Sequence, residues 1–232
     1  MICKNCNTEF QGNYCCNCGQ KRVTNRLNLK EIWNDLISSI INYETGFLRT
    51  LLLLIIKPKK IITDYINGKR KSYFNPIKLL FIILTIKTFV EIKLLNNSTK
   101  ELITESAKLI RTITENDFFK LFQIIVLIPI LSFLSYYFFK KYKYNFIEHI
   151  LINTYAFSIA SVFVILSYLI NTLIENKTTG LIGILIDLLF FSWVYANLFN
   201  NNKFVSIIKA ILIMILGYLL FLLPMVAIAR LF

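Results

Sequence analysis

Lys57-Pro58-Lys59-Lys60, then Ile61 to Asn67, then Gly68-Lys69-Arg70-Lys71 and Ser72-Tyr73-Phe74-Asn75-Pro76-Ile77-Lys78 make one stretch that divides the chain. It carries seven Lys or Arg against a single acid, Asp64. All five cysteines and a polar, basic head precede it, and nearly everything after it is apolar. Lys and Arg beside a first span hold a loop on the cytoplasmic side. Such cations are also drawn to anionic headgroups, by ~1 kcal/mol each. The stretch therefore predicts where a membrane begins and which way up the protein sits. Lys57, Lys59, Lys60, Lys69, Arg70 and Lys71 are its candidate contacts with anionic lipid.

Composition agrees with that reading. Of 232 residues, 56% are hydrophobic, and mean hydropathy is +0.60. Soluble domains sit nearer 45–50% apolar. The formal charge is +13, which in a soluble protein would suggest nucleic acid. Here about half of the Lys and Arg lie before residue 76, where topology alone accounts for them, so nucleic acid is not the expected partner. Ile, Asn, Lys and Phe are abundant and Gly, Pro and Ala scarce, a bias that suits an AT-rich genome. The N-terminus has no apolar core behind a basic segment, so no secretory signal is expected. The cysteines, confined to Cys3–Cys18, do not form a disulfide framework. A reducing cytosol would leave their thiolates free to hold metal.

Three regions follow: a head over residues 1–26, a juxtamembrane region over 27–75 and a bundle over 76–232. In the head, Cys3-Lys4-Asn5-Cys6 and Cys15-Cys16-Asn17-Cys18 are two Cys-x-x-Cys knuckles. Each turn aims two sulfurs at one point, and two turns complete the tetrahedron of a closed structural zinc site. Cys3, Cys6, Cys15 and Cys18 are the predicted ligands, with Cys16 the spare. A redox dithiol or an iron site is the alternative. Gly12 is expected to turn a short hairpin between the knuckles, with Phe10 and Tyr14 as its apolar cover. With only eight residues between the knuckles, the head needs metal to fold.

In the juxtamembrane region Leu29, Ile32, Trp33, Leu36, Ile37, Ile40 and Ile41 recur at helical spacing. This amphipathic helix either lies in the membrane interface or packs on the cytoplasmic layer. Gly46 to Ile56 is apolar except at Arg49. As a helix it rises ~16 Å, too short for a ~30 Å hydrocarbon core, so a re-entrant or deeply buried helix is expected. Pro58 suits the first turn of the next helix and Gly68 its stop.

Five spans are predicted beyond residue 76: Pro76 to Leu95, Phe118 to Phe139, Ile147 to Ile174, Gly180 to Phe199 and Phe204 to Ala229. Lys87, Glu91 and Lys93 make the first the weakest. Lys140, Lys141, Lys143 and Lys203 fall in alternate loops with the basic stretch, which puts the N-terminus in the cytoplasm. Ser98-x-x-Glu101 reads as a capping box opening a short outer helix. The predicted fold class is thus an all-α polytopic membrane protein: a five-span helical bundle with a small zinc ribbon and interfacial helices.

Ionisable groups within spans are the default functional candidates. Lys87 and Asp187 both fall near mid-depth and either pair across the bundle or reach water separately. Glu148 and His149, at the inner end of the third span, are either a catalytic or metal pair or an interfacial anchor. No phosphate-binding Gly loop, nucleophile elbow or His-Glu metalloprotease motif is present.

The order of parts is also familiar. A double Cys-x-x-Cys ending Cys18-Gly19-Gln20-Lys21 leads to Gly46-Phe47-Leu48-Arg49-Thr50-Leu51, a Lys57-Pro58 step, and Tyr65-Ile66-Asn67-Gly68-Lys69-Arg70 running through Tyr73 to Pro76. This resembles a bacterial family of unknown function with a zinc-ribbon head and several membrane spans. The resemblance covers roughly residues 3 to 90, with Glu148-His149 a weaker echo. It implies a zinc ribbon, a multi-span bundle and a bacterial inner membrane, and it brings no activity. The sequence alone therefore favours a non-enzymatic membrane adaptor or scaffold whose ribbon binds a cytosolic protein. A transporter or channel using Lys87 and Asp187, and a lipid-modifying enzyme using Glu148 and His149, are the rival expectations.

Overall fold

The computed structural model describes residues 1–23, 26–33, 46–95, 117–174, 179–199 and 202–229. The proposed outer helix after Ser98 and the second half of the Leu29–Ile41 helix lie outside these residues.

Among the described residues the regular structure is helical: α1 Phe47–Ile56, α2 Pro58–Ile66, α3 Pro76–Leu95, α4 Asp117–Phe138, α5 Phe146–Ile174, α6 Thr179–Leu198 and α7 Lys203–Ala229, with a 3-10 turn at Lys140–Tyr142. A further helical turn covers residues 29–33. Two isolated antiparallel bridges, Ile2 with Glu9 and Tyr14 with Lys21, are the only β pairing described.

The basic stretch folds as its residues dictate. Pro58 begins α2, where a missing N–H costs nothing. Gly68, at φ 99°, ends it in a Schellman turn: Lys69 N–H donates to Asp64 O (2.9 Å) and Gly68 N–H to Tyr65 O (3.1 Å). Asn75 then caps α3, its Oδ1 accepting from Ile77 and Lys78 N–H, with Pro76 in the first turn. The helix α1 is only part-buried, not buried on all sides. Thr50 and Leu54 face inward, while Leu48, Leu52 and Ile56 are exposed at four-residue spacing. Thr50 Oγ1 accepts from Phe74 N–H (3.0 Å), and Trp193 Nε1 on α6 donates to Ile55 O (3.2 Å), so α1 is tied to both the collar and the bundle.

The bundle is built around α5, which packs against α3, α4 and α6. α7 closes the ring by packing on α4 and α6. Gly217 permits the α4–α7 approach, since a Cβ there would collide with the Leu131 side chain. Large apolar side chains remain exposed on the outer faces, among them Phe81, Phe89, Phe133, Leu189 and Leu212. The polar groups Ser132, Ser135, His149, Asn153 and Ser158 are buried inside. By length and apolar composition two helices, Phe146–Ile170 and Lys203–Leu222, are able to cross a membrane. Among the described residues, two of the five expected spans, the third and the fifth, pass that test. The charges at Lys87, Glu91 and Lys93 interrupt α3.

Candidate metal centre and its docking surface

The four predicted thiols converge. Cys3, Cys6, Cys15 and Cys18 Sγ atoms all lie within 4.8 Å of one another. The Cys3–Cys18 and Cys6–Cys15 separations are 3.6 and 3.5 Å. A tetrahedron of thiolates ~2.3 Å from a zinc ion has edges of about 3.8 Å, so these four residues fit such an ion. Each knuckle ends in a left-handed residue, Asn7 at φ 58° and Gly19 at φ 68°. In each the turn is closed by a backbone bond: Asn7 N–H to Cys3 O (3.0 Å) and Gly19 N–H to Cys15 O (2.9 Å). The bridges close each knuckle on itself, so the hairpin expected between them around Gly12 is not how the head pairs. Phe10 is buried against the cysteines, but Tyr14 is 62% exposed and covers nothing. Cys16 is exposed and outside the cluster. Hydrogen bonds from the Thr8 side chain and backbone hold the Cys6 thiol down at about 6, while burial pushes Cys18 up to about 11.

The head is clamped to the basic stretch by the two motifs that stand out in the sequence. Gln20, nearly buried, donates from Nε2 to Gly68 O (2.7 Å). Its Oε1 accepts from both Arg70 N–H and Lys71 N–H (3.0 Å each). Asn5, inside the first knuckle, accepts from Ser72 N–H (3.1 Å) and Ser72 Oγ–H (2.7 Å). A side chain at Gly68 would meet Lys4 Cδ at 2.9 Å and Val23 Cγ1 at 3.1 Å. Gly68 thus serves twice, once as the helix stop and once as the bare surface on which the head rests. Cys-Gly-Gln and Gly-Lys-Arg are the two halves of one interface.

A second tie joins the end of the head to the bundle. Arg26 donates to both oxygens of Glu148, at 2.7 and 2.6 Å, and also to Lys143 O. That ion pair raises the Arg26 pKa. Glu148 is 1% exposed at its side chain. It also forms a reciprocal capping box with Asn145 at the start of α5: Asn145 N–H donates to Glu148 Oε2 and Glu148 N–H to Asn145 Oδ1, both 2.8 Å. Asn145 Nδ2 donates to Leu27 O (3.0 Å). Neighbouring His149 is fully buried, with Nδ1 2.9 Å from Ser135 Oγ and Nε2 without a partner among the described residues. Asn153 bonds Ser132 Oγ (2.9 Å) and accepts from Tyr195 Oη–H (2.8 Å). Glu148 is therefore engaged by Arg26, and His149 does not face the surface as an interfacial anchor would.

Of the collar cations, Lys57, Lys59, Lys60 and Lys71 are exposed. Lys69 stands 4.0 Å from Asp64. Arg70 is buried and paired with Glu31 at 2.8 Å, so its charge is spent inside the chain. Lys87 and Asp187 feel each other's charge, but among the described residues no ion pair within 4.0 Å joins them. Tyr218 of α7 also stands close to Asp187. On the adjoining faces Tyr168 Oη donates to Glu91 (3.3 Å). Sequence reading did not find the Gln20 and Asn5 clamp, the Arg26–Glu148 pair or the Ser132–Asn153–Tyr195 network. The available signals were the Asn145-x-x-Glu148 spacing and the polar residues isolated in apolar runs.

Comparison with known families places a similarity on the segment just described. Residues 44–88 match the model of a family described as "Protein of unknown function (DUF3667)". That segment holds α1, α2, the turn that receives Gln20 and most of α3. No curated protein and no solved structure matches the chain.

Proposed function

We propose that this chain is a multi-pass bacterial inner-membrane protein, N-terminus cytoplasmic, whose zinc-bearing cap is a docking platform for a cytosolic protein. The observation that carries the proposal is the clamp. A closed four-thiolate site offers no open position for catalysis, and Gln20 and Asn5 hold it rigidly against the basic collar. A small rigid surface at a fixed height above the bilayer suits recognition better than chemistry. The five-span topology rests on the exposed apolar flanks of α3, α4, α6 and α7 and on the alternating basic loops. Zinc is the metal of choice for a tetrahedral thiolate set.

Co-purification from native membranes in mild detergent tests this, comparing wild type with Cys15→Ser plus Cys18→Ser. Loss of zinc together with one cytosolic protein, while the bundle stays in the membrane, supports the platform. Retention of the same proteins without zinc, or no cytosolic protein in either sample, rejects it.

A second reading is favoured by the grouping of Lys87, Glu91, Tyr168, Asp187 and Tyr218 on four helices. Ionisable groups gathered inside a bundle suit an ion- or proton-coupled transporter. Asp187→Asn in proteoliposomes would abolish a pH-driven flux under that reading, and absence of any flux in wild type would dismiss it.

A further inference from the structure

Between α1, α2 and the turn after α2 lies a cavity of about 520 Å³. That volume is in the range of small-molecule sites. Arg49, Lys60 and Lys69 line it, together with Ser72 and Tyr73. Leu52 and Leu53 form its apolar wall. Among the described residues only Lys69 has a carboxylate nearby, Asp64 at 4.0 Å, and neither Arg49 nor Lys60 is in an ion pair. Asp64 is further occupied by the Tyr73 hydroxyl, which donates to it at 2.6 Å. Burial and that bond push Tyr73 up to about 12, with Arg49 pulling the other way, so Tyr73 stays neutral. Two cations with no ion-pair partner among the described residues repel each other at one cavity until an anion is shared between them.

The anion has an apolar companion. Leu48, Leu52 and Ile56 run along one face of α1, 70%, 60% and 63% exposed. Leu52 belongs both to this stripe and to the cavity wall. A ligand that fills both has a charged head and a hydrocarbon tail. A free phosphate would use the cations and leave the stripe bare.

We infer that this cavity binds the phosphate headgroup of an anionic phospholipid, with Arg49 and Lys60 on the phosphate and an acyl chain along Leu48, Leu52 and Ile56. Arg supplies paired N–H donors to phosphate oxygens, and Lys supplies a point charge. This goes beyond diffuse attraction of the collar to a charged surface, because it assigns one lipid to one site. It rests on the membrane reading above, which a carbonate wash of the membranes tests separately: a washed-off chain fails that reading before any lipid is counted.

The test is native mass spectrometry of the full chain in mild detergent, titrated with phosphatidylglycerol, phosphatidylcholine or soluble glycerol 3-phosphate. One phosphatidylglycerol is expected to be retained saturably and preferred over phosphatidylcholine. Arg49→Gln with Lys60→Gln should weaken it by about 10- to 30-fold, from ~1 kcal/mol per cation. Both side chains are exposed, so the melting temperature should hold. Lys57→Gln with Lys59→Gln, which removes two collar cations outside the cavity, should change binding less than about twofold. Equal losses in the two double variants would mean diffuse electrostatics and overturn the site. Glycerol 3-phosphate binding as tightly as the lipid would overturn the lipid assignment, as would the absence of any saturable lipid.

Discussion

Replacing Gln20 with Ala removes the donor to Gly68 O and the acceptor of two backbone N–H groups at Arg70 and Lys71. Each bond contributes about 1 kcal/mol net. Lys71 is exposed, so water recovers part of the loss there. The docking of the cap on the collar should weaken by about 2–3 kcal/mol, or roughly 30- to 150-fold. Hydrogen exchange reads this directly, because the Arg70 and Lys71 amides are protected by Gln20 itself. Their exchange should accelerate by about that factor while metal content is unchanged, since Gln20 is not a ligand. Gln20→Glu keeps the acceptor but sets a carboxylate against the Gly68 carbonyl, and should show an intermediate effect. Unchanged exchange at Arg70 and Lys71 in Gln20→Ala would refute the clamp, and with it the idea that the two motifs form one interface.

Arg26→Gln leaves the buried Glu148 carboxylate without its counter-charge. Arg26 is 56% exposed, so solvent screens part of the loss, and about 2 kcal/mol, or about 4–8 °C in Tm, is expected. Adding Glu148→Gln should recover some of it, a coupling that a double-mutant cycle measures. Gly217→Ala forces a Cβ into Leu131 and should cost about 1–3 kcal/mol by thermal unfolding in detergent, whereas Gly183→Ala, where no atom of the described residues lies within 4 Å, should be close to neutral. Tyr195→Phe strands the buried Asn153 Oδ1 and should destabilise by about 1–3 kcal/mol without changing metal content.

The helical class and the four thiols were legible because each is written locally. Apolar periodicity sets the helices, and Cys-x-x-Cys spacing sets the knuckles. Pro58 and Gly68 marked the ends of α2 for the same reason. What was not legible depends on partners far apart in the chain. Gln20 reads as a polar residue after a knuckle until Gly68 is brought to it, and Arg26 reads as one more basic residue until Glu148 meets it. The abundance of Asn looked compositional, yet Asn75, Asn145 and Asn202 each cap a helix of the bundle. Tyr14 shows the opposite error: an aromatic beside a cysteine suggested cover, but so small a head has almost no interior to fill.

Metal analysis of the chain extracted from carbonate-washed membranes tests the central claim most directly. One zinc per wild-type chain is expected, and none in Cys15→Ser plus Cys18→Ser, with both chains still requiring detergent for release. A wild-type chain that the carbonate wash frees, or that carries no zinc, would contradict the account of a metal-built cap on a membrane bundle.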